Sequence, residues 1–188
     1  NALTSDGLRL DLWLHTDAAP TLDQSRVQVL LDRENALQFG ATTATPDADA
    51  LKIRLFDQIR EFWRCISLSP AVIGRDERIV SLFGLTVEVN ILTDVIISGY
   101  AIPRDSGVKR LNPFLPDELR QEIEEALAFD SLTNNSLAQA HLSLARIMQE
   151  EGRQLAKQHG FEYPVEVETA ALEYTMRELA TIGVVEWI

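Results

Sequence analysis

Between residues 7 and 17 the chain reads GLRLDLWLHTD, with Leu8, Leu10, Leu12 and Leu14 alternating against Arg9, Asp11, Trp13 and His15. Successive side chains on a strand point to opposite faces. The alternation therefore predicts a β-strand with its leucines buried and Asp11 on the other face, beside Arg9, Trp13 and His15. After a turn-prone stretch holding Asp17, Pro20 and Asp23, the Val- and Leu-rich RVQVLLD of residues 26–32 predicts a second strand. Residues 33–50, small and polar around ATTATPDADA, predict a loop.

Beyond that point the apolar period changes from two to about three and a half. Thr45 and Pro46, followed by Asp47 and Asp49, predict a helix start: a capping hydroxyl, a proline in the first turn, and acids near the positive end of the dipole. Leu51, Leu55, Ile59, Phe62 and Ile66 then mark one apolar stripe. ERIVSLFGLTVEVNILTDVII is rich in β-branched residues, and TVEVNIL alone reads as a strand. Its length, with one internal glycine, predicts instead a largely buried helix over residues 76–98, central to a bundle. A loop with Pro103, Gly107, Pro113 and Pro116 follows. PDELRQEIEEALAF predicts a helix on Leu119, Ile123 and Leu127, and residues 135–159 predict another, stopped by Gly160 as a left-handed cap. A last helix starts at Pro164 and runs through Leu172, Met176 and Leu179.

The pattern predicts an α+β chain in two parts, residues 1–45 with two strands and residues 46–188 with a helical bundle. A two-stranded hairpin is marginal by itself, so these strands call for a larger sheet.

Composition narrows the partners. Seventeen basic against 29 acidic residues leave a formal charge of −12 over 188 residues. With no cluster of Lys and Arg to displace phosphate counterions, nucleic acid is excluded as a natural partner. A cationic small molecule is electrostatically favoured, although solubility alone also accounts for the charge. The single cysteine, Cys65, excludes an internal disulfide and a thiolate zinc cluster. His15, His141 and His159 form no close pair. The most apolar stretch, residues 79–97, carries Glu88, Asn90 and Asp94, and no signal peptide opens the chain. These features point to a cytoplasmic protein off the membrane, with oligomerisation left open. Asn134-Asn135-Ser136 fits a glycosylation acceptor only formally.

Taken alone, the residues leave Asp11 two readings: a solvated strand residue, or a carboxylate offered to a metal. Glu61 shares a helix face with Arg54, Asp57 and Arg64, where an i,i+3 surface pair is the simplest account. Trp63 reads as a core anchor before a stacking platform, and Phe62 as core. His141, four residues after Leu137 on an apolar stripe, reads as a satisfied core histidine. Arg75, Asp76, Glu77 and Arg78 read as a charged helix start that could line a cleft.

Three segments in this order resemble one family. SDGLRLDLWL followed by VQVLLDRENAL resembles the end of the catalytic sheet in antibiotic nucleotidyltransferases of the polymerase-beta-like superfamily, closest to the streptomycin-type and lincosamide-type adenylyltransferases. REFWRCI, residues 60–66, resembles the N/G-x-F-W helix that opens the family's helical domain. AHLSLARIMQEEGRQLAKQHGFEYP, residues 140–164, is similar to its C-terminal helices and their Gly-Phe-x-Tyr-Pro turn.

The resemblance implies a sheet remnant followed by an acceptor-binding helical domain, and adenylyl transfer from ATP to a hydroxyl of a small antibiotic, hence antibiotic resistance. It implies Mg²⁺, with Asp11 as the third metal-binding acid and an aid in taking the hydroxyl proton. It implies Glu61 as an acid facing the acceptor, to bind its amines or act as general base. The further substrate-binding candidates are Asp57, Trp63 and Glu77 near a cleft with Glu61, and His15 on the Asp11 face. The family's Gly-Ser pair and the Asp-x-Asp pair before the third acid do not occur in this sequence; Asp47-Ala48-Asp49 comes later, at a helix start. The expectation is therefore a fragment that holds one acid where two Mg²⁺ ions, typically about 3.5–4 Å apart, need several. The competing expectation is a non-catalytic, acidic helical interaction module.

Overall fold

A computed structural model describes residues 2–3, 9–10, 21–22, 28–33, 37–40, 47–102 and 111–184. The chain divides into two compact units, Asn1–Pro46 and Asp47–Ile188, each described by itself.

In the first unit, β1 (Ala2–Leu3) pairs antiparallel with β2 (Arg9–Leu10), Ala2 opposite Leu10. β3 (Thr21–Leu22) pairs in parallel with β4 (Gln38–Phe39). The expected strand over residues 26–32 is corrected: its described part, residues 28–32, is irregular, with Leu30 87% and Leu31 69% exposed. A parallel pair needs a long crossover, and VQVLLD falls within the connection from Leu22 to Gln38 rather than in a ladder. The expected turn before it and loop after it each carry one strand of that pair. Leu8, Leu12, Leu14, Asp11 and His15 lie outside the described residues.

The described residues of the second unit form a five-helix bundle. α1 (Ala48–Gly74) starts on Asp47, whose Oδ1 accepts from the Asp49 amide at 3.1 Å. The cap is thus Asp47 rather than Thr45, which lies outside the described residues. Leu55, Ile59, Phe62, Trp63 and Ile66 are fully buried; each such side chain contributes on the order of 1.5–3 kcal/mol relative to exposure. The helix continues through Pro70, which has no amide to give the Ile66 carbonyl. Two hydroxyls take that place: Ser69 Oγ donates to the Ile66 oxygen at 2.8 Å and Thr175 Oγ1 at 3.3 Å. The second of these ties α5 to α1.

α2 (Arg78–Gly99) is helical despite its β-branched content, because its length satisfies its own backbone while Leu85, Leu92, Val95 and Ile96 enter the core. It is long and apolar enough by composition to cross a membrane. The expectation of a largely buried helix holds only for its second half: Ile79 and Phe83 are each 65% exposed. A short 3₁₀ turn (Asn112–Phe114) precedes α3 (Asp117–Ala126). α4 (Asn134–His159) opens with a capping box between Thr133 and Ser136 and ends on Gly160 at φ 69°. α5 (Val165–Thr181) follows Pro164.

α1 packs on α2, α4 and α5, and α4 also packs on α2 and α3. At the α2–α4 crossing, a Cβ on Gly99 would stand 2.6 Å from the Leu155 methyls, so only glycine allows that approach.

Candidate functional site

Asp57, Arg60, Glu61 and Arg64 recur at three- and four-residue steps and so share one face of α1. With Val167 of α5 they line a groove of about 380 Å³. Farther along the same seam a broader trough, about 640 Å³, runs between Arg64, Ser67 and Leu68 on α1 and Glu166, Ala170 and Tyr174 on α5. Arg64 and Val167 belong to both, which makes the seam continuous: charged at one end, apolar in the middle, with Glu166 on its wall.

Arg64 grips Glu61 with two hydrogen bonds, Nε to Oε2 at 2.7 Å and Nη2 to Oε1 at 2.6 Å. The Arg64 hydrogen bond, which outweighs the small effect of burial, holds the Glu61 carboxyl below the ordinary carboxylate range. A general base gains from the opposite shift. Glu61 is thus suited to stand as a fixed negative charge rather than to accept a proton. Cys65 lies beside the pair; burial, then the Glu61 charge, pushes its thiol up to about 11, so it is no ready nucleophile.

The other expected site residues are only partly gathered here. Asp57 is exposed one turn before Glu61, in the same groove. Glu77 is exposed at the start of α2 and lies outside the groove lining. The end of α1 lies thirteen residues beyond Glu61, about 20 Å of helix. Trp63 is fully buried beneath the trough: its Nε1–H donates to Tyr163 Oη at 3.0 Å, and its ring meets Phe62 edge-on at 5.5 Å. As placed, it supports the seam from below. Asp11 and His15 lie outside the described residues.

Sequence reasoning missed the buried Glu168 and the partners of His141. Between α4 and α5, Glu168 accepts from Arg153 Nη2 at 2.5 Å and from Gln149 Nε2 at 2.6 Å. Burial lifts its pKa, but the bonds from Arg153, Tyr163 and Gln149 more than reverse this and leave it lowered. Tyr163, expected as turn structure, thereby links Trp63 to Glu168. Between α2 and α4, His141 Nδ1 lies 2.7 Å from Glu88 Oε2, and its Nε2 lies 3.0 Å from Ser81 Oγ. This matches the satisfied core histidine expected of His141. Burial keeps the Glu88 carboxyl above the usual range, with His141 offsetting part of the effect. The sequence signal for either group was a titratable residue at an apolar-stripe position, with partners up to 60 residues away.

Among the described residues, no three His, Cys, Asp or Glu side chains converge to hold a metal ion. They do not themselves fit a Mg²⁺ centre. No protein-family model, curated protein or solved structure matches the chain at a significant level.

Proposed function

We propose that this chain is part of an antibiotic-type nucleotidyltransferase, with the α1–α5 seam as the acceptor-binding surface of its helical unit. The reaction is attack of an acceptor hydroxyl on the α-phosphorus of ATP, with pyrophosphate leaving and the hydroxyl proton released. The observation that carries the reading is the pair of exposed acids, Asp57 and Glu61, one turn apart in a groove on the F-W helix. The order of the three resembling segments supports it. Asp57 and Glu61 bind acceptor ammonium groups, while Arg64 fixes Glu61 and Arg60, over the Phe56 ring, meets acceptor oxygens. Asp11 as a metal ligand rests on the resemblance alone, and no step is derived through the metal.

A second reading, a non-catalytic interaction module, is favoured by a separate observation: the apolar residues Ile79, Phe83 and Val87 left exposed on α2.

The test is to mix the chain with ATP, Mg²⁺ and a panel of aminoglycosides and lincosamides, following binding by calorimetry and products by mass spectrometry. The expected result is salt-sensitive binding of a cationic acceptor without pyrophosphate release by these residues alone. Transfer abolished by Asp11→Ala would uphold the function but place the remaining acids within this chain, with Asp6 and Asp32 the first to replace. No binding by any member of the panel would leave the module reading.

A further inference from the structure

We infer that a second cavity, enclosed by α1, α2 and α4, is a binding site for a compact apolar amine. It adjoins the acceptor seam, sharing Arg64 and Leu68 with it, and its argument does not rest on that reading. The cavity holds about 310 Å³, at the small end of the range for ligand sites, roughly 300–1,000 Å³. Its apolar walls are Leu68, Val72, Val80, Phe83 and Val87; Ser81, His141 and Glu88 supply polar groups, and Cys65 and Ser69 of α1 also line it. Val80, Phe83, Val87 and Leu68 are among the most exposed large apolar residues of the bundle, so the mouth is open. A greasy entrance over a few convergent polar groups is the usual make-up of a small-molecule site.

The polar groups select the sign of the ligand. Ser81, Glu88 and His141 are each at most 2% exposed and lie in one hydrogen-bonded chain. When His141 Nδ1–H donates to the Glu88 carboxylate, its Nε2 accepts from the Ser81 hydroxyl. The lone pairs left on Ser81 Oγ and on Glu88 are then acceptors. A ligand must bring donors, and an ammonium brings three together with a charge that compensates the buried carboxylate. A carboxylate ligand would bring a second negative charge to Glu88. The remaining wall residue with a formal charge, Arg64, is turned to Glu61. Gly84 lies against the histidine: a Cβ there would meet His141 Cε1 at 3.4 Å, in van der Waals contact.

The probes are hexylamine, hexan-1-ol and hexanoate, titrated into the isotopically labelled 188-residue chain and followed by amide and imidazole NMR shifts. Hexylamine is expected to shift Ser81, Gly84 and His141 in a saturable way, and to bind at least about ten-fold more tightly than hexanoate, a difference of about 1.4 kcal/mol. Val87→Trp, at an exposed rim position, fills the mouth and is expected to abolish these shifts with the fold intact. Streptomycin is titrated in parallel and read at Asp57 and Glu61. Its loss with hexylamine binding retained would sink the acceptor seam alone, and the reverse result would sink the cavity alone. Equal or tighter binding of hexanoate, or hexylamine shifts that survive Val87→Trp, would overturn the assignment.

Discussion

On the α5 side of Arg64 the carboxylates are either open to water or held by charged and amide donors. Glu61 has a bidentate arginine, and the buried Glu168 has Arg153, Gln149 and Tyr163. On the α2 side a single acid, Glu88, is buried against one histidine. The first arrangement lowers both acid pKa values; the second raises one. The difference teaches that a formal charge of −12 says little until each acid's partners are counted. Donors, more than burial, decide which carboxylates keep their charge as the pH falls.

The largest effect should come from the side with fewer donors. His141→Leu strands Glu88 in the core and is expected to destabilise the bundle by about 3–5 kcal/mol in urea unfolding. A double variant that also carries Glu88→Leu should recover part of that loss. A single-variant loss below about 1 kcal/mol would mean that Glu88 does not depend on His141, which breaks the comparison. On the other side, Trp63→Phe removes the bond to Tyr163 and leaves a void under the seam. A loss of about 1–3 kcal/mol is expected, read by the same unfolding.

The two buried acids should also answer pH with opposite signs. Glu168 has a folded pKa below its ordinary 4.5, so its contribution is present above that pH and is lost as pH falls through the depressed value. Glu88 has a folded pKa above 4.5, so its contribution is present at lower pH and is lost as pH rises from 4.5 through the raised value. In stability measured against pH, Glu168→Gln should flatten the acid limb, and Glu88→Gln should remove a decline on the rising side. The same sign for both would erase the contrast. The smallest effect on stability belongs to Glu61→Gln, within about 0.5 kcal/mol, because an exposed i,i+3 pair contributes little.

Much of the helical unit was legible in the sequence because periodicity is local. The stripe from Leu51 to Ile66, the glycine stop at Gly160 and the length of the segment from Arg78 to Gly99 each predict an element from its own residues. RVQVLLD was misread because strand formation depends on partners that a propensity does not contain, and its described residues pair with none of the strands. The groove acids were legible as a shared helix face, since Asp57, Glu61 and Arg64 are one turn apart. Glu77 was grouped with them by charge, although a helix end separates them. Glu88–His141 and Glu168–Arg153 were not legible, because such pairs are made by tertiary packing and follow no sequence spacing.

The central claim is that Asp57 and Glu61 form a cation-binding seam, and streptomycin titrated against the wild-type chain and an Asp57→Asn/Glu61→Gln variant tests it most directly. Between about 0.01 M and about 1 M salt the screening length falls from about 30 Å to about 3 Å. The wild-type chain should bind at low salt and weaken steeply across that range, while the variant should bind poorly throughout. Binding that is insensitive to salt, or equal in the two proteins, would contradict the account.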